Sequence, residues 1–95
     1  MPYRVVLNER VAPRLSALDD AARREWVRIE RTLSVVPYPQ VRDRRIRRFR
    51  LADGEDVFLY AIPAFPFIVA YTVTDPPRGS DDGIVNVRAF IERPS

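Results

Sequence analysis

Residues 56–74 read DVFLYAIPAFPFIVAYTVT, two short apolar runs parted by Pro63-Ala64-Phe65-Pro66. Each run is too short for a buried helix and is rich in β-branched and aromatic residues, so both read as strands, Asp56 to Ile62 and Phe67 to Thr74. Two prolines set the backbone of the turn between them. Both strands are apolar on both faces. Helices are therefore expected over one face of the sheet, with something else shielding part of the other.

Working outward, RRIRRFRL (Arg44 to Leu51) precedes this hairpin as a third strand, joined to it by a turn at Asp53-Gly54. Ile46 points one way along it, while Phe49 and Leu51 share the opposite parity. A bulge near Arg47 or Arg48 is expected to reconcile them. Downstream, the polar, turn-rich loop DPPRGSDDG leads to a last strand, Ile84 to Ile91. There Val85, Val87, Ala89 and Ile91 share a face, with Asn86 and Arg88 on the other.

Before Tyr38 the period changes. Tyr3 to Leu7 (YRVVL) reads as a strand and Asn8 as a helix cap, with Val11, Leu15 and Leu18 at helical spacing. Pro13 either starts that helix or bends its first turn. A second, longer helix is capped by Asp19 or Asp20 and carries Ala22, Trp26, Ile29, Leu33 and Val36 on one stripe. Glu25 supports Arg28 at i,i+3 spacing, and Pro37 and Pro39 end the helix. The predicted class is α+β: an N-terminal strand, a helical hairpin, then an antiparallel sheet of four further strands. Trp26 and Tyr71 are assigned to the core, the latter sharing parity with Phe67, Val69 and Val73. Phe65 is left to either the core or an exposed partner contact.

Composition narrows the chemistry. The 95 residues, 46% hydrophobic, suit one domain with one core. With no Cys there is no disulfide framework and no thiolate ligand or nucleophile. With no His, the commonest general base and metal ligand are gone; no cofactor or metal is expected. No apolar run approaches the roughly 18 residues of a membrane span, and MPYRVVLNER does not read as a signal peptide, so a cytoplasmic protein with no membrane partner is expected. All 16 basic residues are arginine. Each is a permanently charged planar fork suited to phosphate or carboxylate, and none can act as a lysine-type base. Arg42, Arg44, Arg45, Arg47, Arg48 and Arg50 crowd into the first strand of the sheet and its approach. A solvated edge that resists aggregation, a phosphate-backbone site and a dock for an acidic segment all fit that run. Asp53, Glu55 and Asp56 read as turn chemistry.

The order strand, two helices, four strands resembles the RelE/ParE toxin superfamily of bacterial toxin–antitoxin systems. The resemblance rests on YRVVLNERVAPRLSALDD, the long second helix ending in a proline-containing segment, the basic strand, the hairpin ending FIVAYTV and the closing IVNVRAFIER. It covers nearly the whole chain and implies a single toxin domain over residues 1–95, neutralised by a cognate antitoxin. The RelE-like branch implies cleavage of mRNA on the ribosome; the ParE-like branch implies DNA gyrase as target. By the resemblance, Arg44, Arg45, Arg47, Arg48 and Arg50 match the stretch holding phosphate-binding cations. Arg93 and Arg88 stand near the family's arginine after the last strand. A catalytic set of Arg47, Arg88, Arg93 and Tyr60 is the corresponding expectation.

Cleavage by a 2′-hydroxyl needs a proton acceptor, a group to steady the phosphorane charge and a donor to the leaving oxygen. Arginine supplies the second. Tyr38, Tyr60 and Tyr71 are the phenols at hand, and an ordinary pKa near 10 makes them poor bases at neutral pH. The hairpin VFLYAIPAFPFIVAY carries no arginine and no glycine, which keeps open a non-catalytic member that only binds a partner.

Overall fold

The structure is a computed structural model that describes residues 3–76 and 82–93. Strand β1 (Tyr3–Leu7) is followed by helices α1 (Ala12–Ser16) and α2 (Asp20–Val35), then by strands β2 (Ile46–Arg50), β3 (Asp56–Tyr60), β4 (Phe67–Thr74) and β5 (Gly83–Glu92). The class is α+β, as expected. The strands form one sheet in the order β1-β5-β4-β3-β2. Strands β2 to β5 pair antiparallel, and β1 joins parallel against β5. Part of the loop DPPRGSDDG, residues 77–81, lies outside the described residues.

Helix α1 is shorter than its apolar spacing suggests. Asn8 does not cap it: its side chain accepts from the Arg10 backbone N–H at 2.9 Å, forming a local turn. Val11 occupies the N-cap without a side-chain bond, and Pro13 falls in the first turn, where its missing N–H costs nothing. Helix α2 behaves as its sequence asks. The Asp19 carboxylate accepts from the Ala22 N–H at 2.8 Å, and Ala22, Trp26, Ile29 and Leu33 are buried. Val36 departs from the expected stripe because the helix ends at Val35 and Val36 turns extended, leaving its side chain exposed.

The core lies between α2 and one face of the sheet. The Trp26 ring meets Phe90 edge-on at 5.2 Å and lies 6.1 Å from Phe65. Phe65 is fully buried, which settles its two readings in favour of packing. Beyond the reach of α2, Phe58 stacks on Tyr71 at 5.6 Å under the segment that follows the helix. The Tyr71 hydroxyl donates to the Pro37 carbonyl oxygen at 2.7 Å, and this buried bond pins the helix exit to the central strand. Among the described residues no helix lies over the other face. There Val6, Phe49, Ile84 and Ile91 remain exposed, Phe49 at 49%.

The expected bulge moves. The β2–β3 register runs unbroken from Ile46↔Tyr60 to Arg50↔Asp56. Ile46 is buried under the helical layer, while Phe49 and Leu51 simply face solvent, so no bulge is needed. The irregularity sits between β4 and β5, where Ala70 pairs with Ala89 but Tyr71 pairs with Val87, leaving Arg88 as the extra residue. Val85, Val87 and Phe90 consequently share the buried face, and Ala89 and Ile91 turn to the open one, correcting the simple alternation expected for β5.

Tyr71→Phe leaves the Pro37 carbonyl without its partner in a buried site. Urea denaturation is expected to show a loss of about 1–3 kcal/mol with an unchanged m-value.

Candidate functional site

The arginine run occupies an edge strand, since β2 pairs only with β3. Backbone bonds Ala61 N–H to Arg45 O and Leu51 N–H to Glu55 O fix which residues of β2 bond inward. By the antiparallel alternation, the main-chain groups of Ile46, Arg48 and Arg50 point to the free edge. Arg47 and Phe49 project on the open face of the sheet. Arg48 and Arg50 project on the helical face, past the end of the helical cover. The edge therefore presents guanidinium groups on both faces.

Their partners divide them into two groups. Arg45 is committed: its Nε donates to both oxygens of Asp43 at 2.9 and 2.8 Å, and Nη1 reaches the Tyr60 hydroxyl at 3.2 Å. That contact holds the Asp43 carboxyl below its usual range. Arg50 donates to Asp56 at 3.0 Å, and Arg48 stands 3.9 Å from the same carboxylate. The hydrogen bond from Arg50 holds Asp56 low as well. The side chains of Arg42, Arg44 and Arg47 make no hydrogen bond or ion pair among the described residues. Exposed ion pairs contribute only ~0–1 kcal/mol, so the pairs of Arg48 and Arg50 are readily exchanged while Arg45 serves the fold.

A polar cleft of about 580 Å³ opens at one end of the sheet, where β3 and β4 splay beyond their last shared pair, Phe58↔Tyr71. It is lined by Arg48, Glu55, Asp56, Asp75, Arg88 and Tyr38, among others. Arg88 enters it from the β5 bulge and pairs with Glu55 at 3.1 Å. Glu55 and Asp56 thus tie arginines of β5 and β2 to one carboxylate pair. Asp53 keeps the turn role expected of it, accepting from the Glu55 N–H at 2.9 Å beside Gly54, whose φ of 89° suits glycine. At the cleft wall, the phenols of Tyr38 and Tyr3 both donate to Asp75 Oδ1, at 2.5 and 3.0 Å.

The four residues expected to form a catalytic set stand apart. Arg47 projects from the open face, Arg88 sits in the cleft, and Arg93 donates to the Ile62 carbonyl at the opposite end of β4. Arg47 and Arg88 are three strand spacings apart, about 14 Å. Tyr60 is buried, 2% exposed, with burial raising its pKa. Arg44, Arg47, Arg48 and Arg50 do share one edge, and Arg48 with Arg88 is the pair brought to a common cleft. The sequence reading missed Asp75 and the ion-pair role of Glu55, because their partners are remote in the chain, and it also missed the pairing of Asp56 with Arg50 and Arg48 across the turn. Charge alternation between the basic strand and the acidic turn after it was the available signal for Asp56.

All four tyrosines have raised pKa values, burial being the largest cause in each. None is a base at neutral pH. The proton acceptors available in the cleft are carboxylates, and the electrostatic stabilisers are arginines. No grouping of His, Cys, Asp and Glu able to hold a metal ion occurs among the described residues, and among them no helix is long and apolar enough to cross a membrane. Comparison with known proteins gave no matching family model, no matching curated protein and no matching solved structure.

Tyr38 is raised above its ordinary 10.0 by burial and by the hydrogen bond to Asp75. Its contribution to stability is complete below that value and is lost as pH climbs through the higher folded-state pKa. Denaturant midpoints measured from about pH 8 to 11 are expected to fall only above pH 10, less steeply in Tyr38→Phe.

Proposed function

We propose that the protein is a RelE/ParE-type toxin, cytoplasmic and held in check by a cognate antitoxin, that grips mRNA on the ribosome and stops translation by cleaving it. The observation that carries the proposal is β2: an edge strand whose arginines project on both faces, with the side chains of Arg42, Arg44 and Arg47 free of partners among the described residues. A phosphate backbone laid along this edge meets forked donors on either side without unfolding anything. The element order of strand, helical pair and four strands supports the same family reading.

In this proposal Arg44 and Arg47 make the first phosphate contacts. Arg48 and Arg88 face the scissile phosphate in the cleft, where they steady the charge that builds as a 2′-hydroxyl attacks. Glu55, Asp56 or Asp75 accepts the hydroxyl proton, and the carboxyl so formed returns it to the 5′-oxygen as the P–O5′ bond breaks, leaving a 2′,3′-cyclic phosphate. A second reading, a member that binds without cleaving, is favoured by one specific observation. Arg48 and Arg88 both stand within ion-pair distance of carboxylates, which lowers the field available to a transition state.

The deciding experiment induces the protein alone and maps mRNA 5′ ends on ribosomes. New ends that disappear in Arg48→Gln and Arg88→Gln support cleavage; translation arrest without new ends supports binding alone. Arrest with lost supercoiling activity, and no effect on translation, points instead to DNA gyrase. For binding itself, affinity for single-stranded RNA is expected to fall with salt. Arg44→Gln and Arg47→Gln should each flatten the log–log slope by roughly 0.7.

A further inference from the structure

The two edges of the sheet are built differently. The β2 edge is guarded by charge, as edge strands exposed to solvent usually are. The β1 edge is not. Its sequence YRVVL has one charge, Arg4, and that residue projects on the open face. The Asn8 N–H donates to the Val87 carbonyl at 2.9 Å, and in the parallel register Leu7↔Val87 the even-numbered groups of β1 face β5. The N–H and C=O groups of Tyr3, Val5 and Leu7 therefore point away from the sheet, along an unprotected edge.

Beside that edge runs a groove of about 750 Å³ between β1 and α2. Val27 and Val35, 54% and 50% exposed, line it from the helix. Between them along α2 stand Glu30 and Arg31, neither side chain held by another described residue.

We propose that a second copy of this chain occupies this edge, its β1 running antiparallel to the first so that two five-stranded sheets become one. The strand is complementary to itself. With the twofold axis at Val5, Tyr3 of one copy stands opposite Leu7 of the other and Val5 opposite Val5. Every outward donor then meets an outward acceptor. Arg4 falls opposite Val6, so like charges are not paired across the seam. The twofold is perpendicular to the sheet and leaves both α2 helices on the same face of the joined sheet, one on each side of the seam. Their exposed valines are covered there, and a groove lined by two acidic residues, Glu30 and Asp82, and two basic ones, Arg4 and Arg31, meets its own copy with an acid available to each base. The β2 edge offers no such match, because arginine would face arginine. The inference is independent of the proposed RNA chemistry.

Light scattering across a concentration series tests it, together with hydrogen exchange at β1. The mass should approach twice the 11.0 kDa of the chain and fall on dilution. The amides of Tyr3, Val5 and Leu7 should be protected in the dimer and exposed in the monomer. Val5→Pro deletes a donor that faces outward, a place where an edge strand tolerates proline. Val35→Glu puts like charges in the seam at an exposed helix site. Each should weaken association about tenfold or more while circular dichroism stays unchanged. A monomer at the highest concentration reached overturns the proposal. So does a dimer insensitive to both variants, or an edge that only an extended peptide from another protein will fill.

Discussion

One helix has to shield one whole face of a five-stranded sheet, and it is too small to do so. At 16 residues α2 is about 24 Å long, yet only about 10–12 Å across with its side chains. Five strands at roughly 4.8 Å spacing are wider than that. The helix is therefore placed where burial gains most, with Trp26 against Phe65 and Phe90. The rest of that face is closed by Val11, Leu15 and Leu18 in and around α1 and by the segment after α2. Tyr71 holds Pro37 down by a hydrogen bond, and Tyr38 stands edge-on to Phe58 at 5.5 Å. Where this improvised cover ends, β3 and β4 splay and the polar cleft begins.

The same shortage of cover explains the distribution of charge. Arg48 and Arg50 point to the helical face but lie past its covered part, so their guanidinium groups stay in water and pair with Asp56. Arg45, just before β2, is drawn onto Tyr60 and Asp43 and becomes part of the frame. An arginine's use here is set by its distance from the helix rather than by its place in the run. The proposed RNA contacts fall on the outer members for that reason.

Much of the fold was legible in the sequence because it rests on local signals. The limits of β1 and β4, the Asp19 cap and the buried stripe of α2 follow from periodicity and capping chemistry within a few residues of each site. The parallel seat of β1 beside β5 carries no local mark, since Tyr3 and Gly83 are joined only in the folded chain. Alternation in β5 misled for a physical reason: one extra residue at Arg88 resets the parity of everything after it. For the candidate site, the basic edge was visible as composition. The carboxylates that face it were not, because Glu55 and Asp75 meet their partners across strands from distant parts of the sequence.

The pairing of the first strand with the last also sets a timetable. Of the sheet's contacts, those between β1 and β5 span the greatest separation, eighty positions from Tyr3 to Gly83, and loops of that length close late. During synthesis the hairpins of β2, β3 and β4 can assemble while β5 is still emerging. β1 is made before the other four strands and has no strand beside it until β5 emerges. The chain thus becomes a complete sheet only after its final strand is free, and until then its most apolar edge is exposed on both sides to whatever binds nascent polypeptides.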